Sequence, residues 1–228
     1  MQSEQDFNGI ARAIISITDF DLKNKQQKQN EQSNSEQTTS LTDIVFSLES
    51  LLTQILMNSS CKNVIQIPKL LQSLTTFSRF KLGSHFIKDI DRRRLEVRSW
   101  SRYCLHWTQV YRNEQIQSDL ANFGYGRVTS LLFSTAGGNG KEKFDEINDG
   151  LIYINYFLRQ LHEDRNNYGQ PFFQPLPLLI RNTEEQIEEE GANEEIEAQM
   201  NNDGYNGLIK IQANLDIAET LNRFIRKH

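Results

Sequence analysis

Apolar residues recur along this chain at steps of three and four. Leu41, Ile44, Val45, Leu48, Leu51, Leu52 and Ile55 make the first sustained run. This spacing puts side chains on one face of an α-helix, and it predicts a helix ending near Asn58. Pro68 suits the first turn of the next helix, where a missing N–H loses no bond. Leu70, Leu71, Leu74 and Phe77 then continue the period until Gly83, which supplies a stop. The strongest signal is SHFIKDIDRRRLEVRSWSRYCLHWTQVYRN, in which Ile90, Val97, Cys104 and Tyr111 fall seven apart. Phe86, Arg93, Trp100 and Trp107 form a second row of the same seam, broken only by Arg93. The pattern predicts a helix from Ser84 to about Arg112, roughly 40 Å long at the α-helical rise. Ile116 to Phe133 reads as a further helix interrupted near Gly124 and Gly126. Phe144, Ile147, Leu151, Ile154, Leu158 and Leu161 define another, and Leu208, Ile211, Leu215, Ala218, Leu221 and Ile225 mark one face of a last helix. Arg223, Arg226 and Lys227 near its end suit the negative pole of the helix dipole.

Between these runs lie stretches that lack the period. After a short apolar segment from Ile10 to Phe20, LKNKQQKQNEQSNSEQTTS is almost wholly polar, and a segment with so little apolar surface is expected to be disordered. NNYGQPFFQPLPLL holds three of the four prolines and reads as an extended connection. It leads into NTEEQIEEEGANEEIEAQMNNDG, with eight glutamates between Glu184 and Glu197. A run this acidic is expected as a solvated helix or a disordered insert, with a basic partner as the alternative. No period of a repeat array recurs. The expected fold class is all-α: an elongated bundle of amphipathic helices with one long central helix and disordered polar and acidic inserts. Its expected divisions are 1–40 (apolar segment and polar linker), 41–168 (helical domain), 169–204 (connection and acidic insert) and 205–228 (C-terminal helix).

Composition changes this picture little. The chain has 228 residues, 37% hydrophobic and 24% charged, enough for one moderate core or two small ones. A formal net charge of -5 gives no global field favouring nucleic acid. Two cysteines, Cys61 and Cys104, without a C-x-x-C, suit a reducing compartment. The N-terminus lacks the basic start and apolar core of a signal peptide, and no eighteen apolar residues run together. No membrane partner is expected, and cytosol or nucleus is the default.

Candidate chemistry is sparse. GGNGK, residues 137–141, suggests a phosphate-binding loop, but G-x-x-x-x-G-K-[ST] would need glycine at Thr135 and a hydroxyl at Glu142. The segment is read instead as a turn between helices, with Lys141 solvated and Phe144 opening the next buried face. His85, His106, His162 and His228 are scattered outside any H-E-x-x-H pattern, and Cys104 on the apolar seam reads as a core residue. Asp145, Glu146 and Asp149 sit at a helix start, where carboxylates favour the dipole without a catalytic task. No catalytic, cofactor-binding or metal residue is therefore assigned, no cofactor is expected, and the segment is not read as an enzyme. The basic cluster RRRLEVRSWSR interleaves Arg92, Arg93, Arg94, Arg98 and Arg102 with Trp100 and Tyr103, so guanidiniums could meet phosphate while aromatics stack on bases. Burial of Trp100 would leave Arg92, Arg94, Arg98 and Arg102 as a solvated or partner-facing flank, with RNA contact as the lesser alternative.

The order of segments carries a resemblance. IPKLLQSLTTFSRF precedes DIDRRRLEVRSWSRYC; LLFSTAGGNGKEKFDEINDGLIYINYFLRQL follows; YNGLIKIQANLDIAETLNRFIRKH closes the chain. This succession resembles part of the helical linker of midasin, a family of giant AAA-type ATPases of large-ribosomal-subunit assembly. There a leucine-rich segment precedes W-R-K-L-E-L, a serine-glycine turn leads to an amphipathic helix, and a later segment ends in R-K. The similarity covers residues 41–228 discontinuously. Asp91 stands where tryptophan is expected, Val97 replaces leucine, and the turn carries an extra GGNG. The acidic insert has no counterpart. The resemblance implies a non-catalytic linker that couples an AAA ring to a pre-ribosomal particle in the nucleus, with the rest of such a chain as a partner. It carries over no catalytic or metal residue, because neither an AAA module nor D-x-S-x-S occurs here.

Overall fold

A computed structural model describes residues 2–26, 34–58, 67–79, 88–110, 114–134, 141–162, 176–203 and 205–225. Helices form the fold, and no strand occurs among the described residues. The chain divides into two compact units, Met1–Arg112 and Asn113–His228. That boundary falls inside the single helical domain expected over 41–168, because the helices after Asn113 build a core of their own.

Unit 1 contains α1 (Gln2–Gln26), α2 (Asn34–Asn58), α3 (Pro68–Phe77) and α4 (Lys88–Val110). Helices α1 and α4 each pack against both α2 and α3. On α1, Phe7, Ala11, Ile14 and Thr18 are buried at alternating steps of four and three, and the Thr18 hydroxyl donates to the Ile14 carbonyl at 2.8 Å. On α2, Leu41, Ile44, Val45, Leu48, Leu51 and Ile55 are buried as their spacing predicts. Burial of side chains of this size stabilises by about 1.5–3 kcal/mol each. Pro68 occupies the first turn of α3, whose Leu70, Leu71, Leu74 and Phe77 also reach the core.

Two expectations for this half need correction, and a third is covered only in part. The polar stretch after Phe20 was expected to be disordered, yet α1 runs to Gln26 and α2 begins at Asn34; residues 27–33 lie outside the described residues. Extending a helix is far easier than nucleating one. The apolar faces of α1 and α2 nucleate, and Gln, Glu and Lys are favourable residues for propagation. Of the long helix expected from Ser84 to Arg112, α4 covers Lys88–Val110, 23 residues beside 25 each in α1 and α2, and the expected ends lie outside the described residues. Finally, Ile90, Val97 and Cys104 are buried, but the second row of the α4 seam is not the tryptophan row. Ser101 and Thr108 are buried with Arg98, Arg102 and Leu105, while Trp100 and Trp107 are half-buried. Small Ser101 and Thr108 let neighbouring backbones approach, and their hydroxyls donate to the Val97 and Cys104 carbonyls at 2.8 and 2.7 Å. The Cys104 thiol meets the Leu48 carbonyl at 3.5 Å, where α2 and α4 pack.

Unit 2 contains α5 (Glu114–Asn122), α6 (Tyr125–Ser134), α7 (Lys141–His162), α8 (Pro177–Glu189), α9 (Ala192–Gln199), a 3-10 turn (Tyr205–Gly207) and α10 (Leu208–Ile225). Gly124, at φ 83°, makes the predicted break between α5 and α6. Helix α7 buries Ile147, Leu151, Ile154, Leu158 and Leu161 as predicted. The first four join Ile187, Ala192, Ile196, Ile209 and Ala213 from α8, α9 and α10 in one core cluster. Residues 135–140, which hold the GGNG turn, lie outside the described residues, with a helix on either side. The side chain of Phe144 is likewise not described.

The acidic stretch is ordered rather than a disordered insert. Thr183, Gln186 and Ile187, then Ala192, Ile196 and Gln199, lie at helical spacing among the glutamates and are buried. Gly191, in the left-handed region at φ 66°, separates the two helices. Gly126 is needed for a different reason. A Cβ there would stand 3.0 Å from the Thr183 carbonyl oxygen, so α6 and α8 approach closely only because that atom is missing. The last helix is turned from its expected orientation. Ile209, Ala213 and Asp216 face inward, and Leu208, Ile211 and Leu215 face out. Both rows fit a helical period; Ala213 on the inner row permits close packing of α10 on α7.

Candidate interaction surface

The arginines singled out by sequence lie along one helix but do not share one environment. Arg92 is exposed, with Nε 3.2 Å from a Glu96 carboxylate oxygen, and Arg93 reaches the other oxygen at 2.6 Å. Arg94 is half-buried and stands 3.9 Å from Asp91. Arg98 and Arg102 are only 7% and 4% exposed. Arg102 donates from Nε to the Ser78 carbonyl at 3.1 Å, satisfying a backbone acceptor just past the end of α3. The expected solvated flank of Arg92, Arg94, Arg98 and Arg102 is thereby corrected. Long arginine stems cover apolar surface, so two of the four arginines pack into unit 1, and Arg102 also caps a carbonyl there. Trp100 and Tyr103 stand with ring centroids 6.1 Å apart, tilted by 57°.

The other candidates are structural as well. Burial pushes the Cys104 thiol far above its ordinary range, which leaves it a core residue rather than a nucleophile. His106 is lowered to about 4 by burial, opposed in part by a hydrogen bond with Gln109, so it is neutral near pH 7. His162 lies 3.6 Å from Glu184. Among the described residues, no group of three or more His, Cys, Asp or Glu is placed to hold a metal ion. Cys61, His85 and His228 lie outside them.

Unit 2 carries a buried polar layer that sequence reasoning missed. Gln117 donates to Gln160 at 2.8 Å, and Gln186 donates to the Ala121 carbonyl at 2.9 Å. Tyr125 packs edge-on against Phe157 with centroids 4.8 Å apart, and burial pushes its hydroxyl far above the ordinary tyrosine range. Glutamine at a helical core position was the available signal. Outside this layer, Glu185, Glu188, Glu189, Glu194 and Glu197 are exposed. Arg181 engages Glu185 at 2.9 Å, and Arg127 engages both Glu189 and Glu190. Glu188, Glu194, Glu195 and Glu197 enter no ion pair among the described residues.

These features define an all-helical chain of two compact units, with its described chemistry in surface charge and packed polar layers. No protein-family model, no curated protein and no solved structure matches the chain.

Proposed function

We propose that this chain is a non-catalytic helical module of a midasin-like protein that acts in large-ribosomal-subunit assembly, in the nucleus, by coupling an AAA ring to a pre-ribosomal particle. The observation that carries the reading is the ordered succession of resembling segments, together with their helical character. IPKLLQSLTTFSRF includes α3, DIDRRRLEVRSWSRYC lies on α4, and YNGLIKIQANLDIAETLNRFIRKH includes α10. Helices of up to 25 residues, about 37 Å at the α-helical rise, would suit transmission of displacement. Such a module needs contacts rather than a reaction centre.

The test is sedimentation of the tagged chain in its own cells, combined with the coding sequence around it. Co-migration with precursors of the large ribosomal subunit, and AAA modules encoded either in frame or in a co-purifying chain, are expected. Migration only as free protein, without any AAA partner, would overturn the reading. Saturating ATP with magnesium should leave the unfolding midpoint unchanged; a shift abolished by Lys141→Ala would assign a nucleotide site instead. The alternative of an RNA-binding protein using Arg92, Arg94, Arg98 and Arg102 is disfavoured by the burial of Arg98 and Arg102.

A further inference from the structure

We propose that the outward face of α10, with the acidic helix α9 packed beside it, is a docking surface for a basic amphipathic helix of a protein partner. The apolar half of the argument is the orientation of α10. Leu208, Ile211 and Leu215 are 46%, 57% and 53% exposed, at steps of three and four along one face. The inward face of the same helix meanwhile buries Asp216, whose Oδ1 accepts from Gln212 at 3.3 Å. A helix that hides a carboxylate while three large aliphatic side chains meet solvent is incompletely covered by its own unit. The spacing of the stripe fits the apolar row of a second helix.

Charge selects the occupant. Helix α9 packs against α10 and carries Glu194, Glu195 and Glu197, and Glu188 lies near the end of α8 just before it; none of these four has an ion pair among the described residues. From Asn113 to His228 there are 19 Asp and Glu against 10 Lys and Arg, a formal net charge of -9. A second copy docked through this same face would bring like charge against like, and a nucleic acid would be repelled. A helix with aliphatic residues at this spacing and lysine or arginine along its flanks satisfies both features. The surface does not depend on the ribosome-assembly reading and stands whether or not that reading holds.

The probe is a synthetic helical peptide of about five turns, with leucines in one stripe and lysines flanking it, titrated against the full chain by fluorescence anisotropy. Two control peptides replace the lysines with glutamate or the leucines with alanine. Binding of the basic amphipathic peptide should exceed that of either control by about tenfold or more, and should weaken as salt is raised. The double variant Ile211→Glu/Leu215→Glu should lose binding by a similar factor while its circular dichroism and unfolding midpoint stay those of the wild type. Glu194→Lys/Glu197→Lys should reverse the preference between the two charged peptides.

Equal affinity for the lysine and glutamate peptides, or no binding of any peptide, would overturn the proposal. So would a large drop in the unfolding midpoint of Ile211→Glu/Leu215→Glu, which would mean that the face is packed within the chain. Sedimentation equilibrium and flotation with zwitterionic phosphatidylcholine vesicles complete the test. Self-association, or vesicle binding, abolished by the same double variant would assign the face to a second copy or to lipid and overturn the basic-helix partner.

Discussion

Unit 1 and unit 2 are both helical and handle charge in opposite ways. Met1–Arg112 holds 15 Lys and Arg against 11 Asp and Glu, a formal net of +4, whereas Asn113–His228 stands at -9. Part of the basic cluster of unit 1 is committed within the unit: Arg98 and Arg102 are buried, and Arg92 and Arg93 converge on Glu96 at the surface. In unit 2 the apolar and polar core residues of α8 and α9 turn inward, and most of the glutamates are left outside. A cluster of charge in sequence thus locates a surface only when the helical period around it shows which face is committed to packing. By that criterion the proposed docking surface lies on unit 2.

The largest test of this division is Phe157→Ala. Phe157 is buried and packs edge-on against Tyr125, so removing its ring should cost about 3–5 kcal/mol. Amide hydrogen exchange should show lost protection across 113–228 and little change in 1–112. An equal loss in both halves would break the comparison by showing that they open together. Gly126→Val should follow at about 3 kcal/mol, because its Cβ alone would press on the Thr183 carbonyl and the γ-methyls add bulk at that contact. Gly126→Ala is gentler, since better helix propensity offsets the squeeze by about 1 kcal/mol. Urea unfolding of the two variants measures the difference.

A third test belongs to unit 1 and uses pH. Folding lowers His106 from 6.5 to about 4, so between those values the unfolded chain binds more protons than the folded one. The neutral imidazole's contribution is complete above about pH 6.5 and is lost as pH falls towards 4, on the order of 3 kcal/mol in all. The wild-type unfolding free energy should fall across that window relative to His106→Gln, with exchange protection lost first in 1–112. Parallel pH curves for the two proteins would remove His106 as the cause.

How far the sequence carried depends on the kind of evidence each helix offers. Runs such as Leu41–Ile55 and Ile147–Leu161 were legible because their large aliphatics leave only one stripe to bury. The acidic stretch was left open between a solvated helix and a disordered insert because Thr183, Gln186, Ala192 and Gln199 on its buried face are small or polar, and a hydrophobic period does not count them. Helix α10 offers two competing stripes, and the choice between 208/211/215 and 209/213/216 rests on fit to α7, a tertiary matter. The α4 seam failed for a related reason: size favours burying Trp100, but close helix approach favours Ser101. The polar linker was misjudged because composition describes a segment alone, whereas helices α1 and α2 enter it already nucleated.

The smallest expected effects come from the arginines, and they bear directly on which unit recognises partners. Removing Arg102 strands the Ser78 carbonyl and uncovers apolar surface, so Arg102→Ala should lower stability by about 1–2 kcal/mol. Arg92 is exposed and its pair with Glu96 is one turn of helix apart, so Arg92→Ala should change stability by less than about 0.5 kcal/mol. Urea midpoints should separate the two variants, and Arg102→Lys should rescue little because an ammonium lacks the planar fork. The reverse order would matter most. Full stability of Arg102→Ala, together with a loss of salt-sensitive RNA binding, would return the guanidinium to solvent. It would also move the recognition surface from the acidic half of the chain to the basic one.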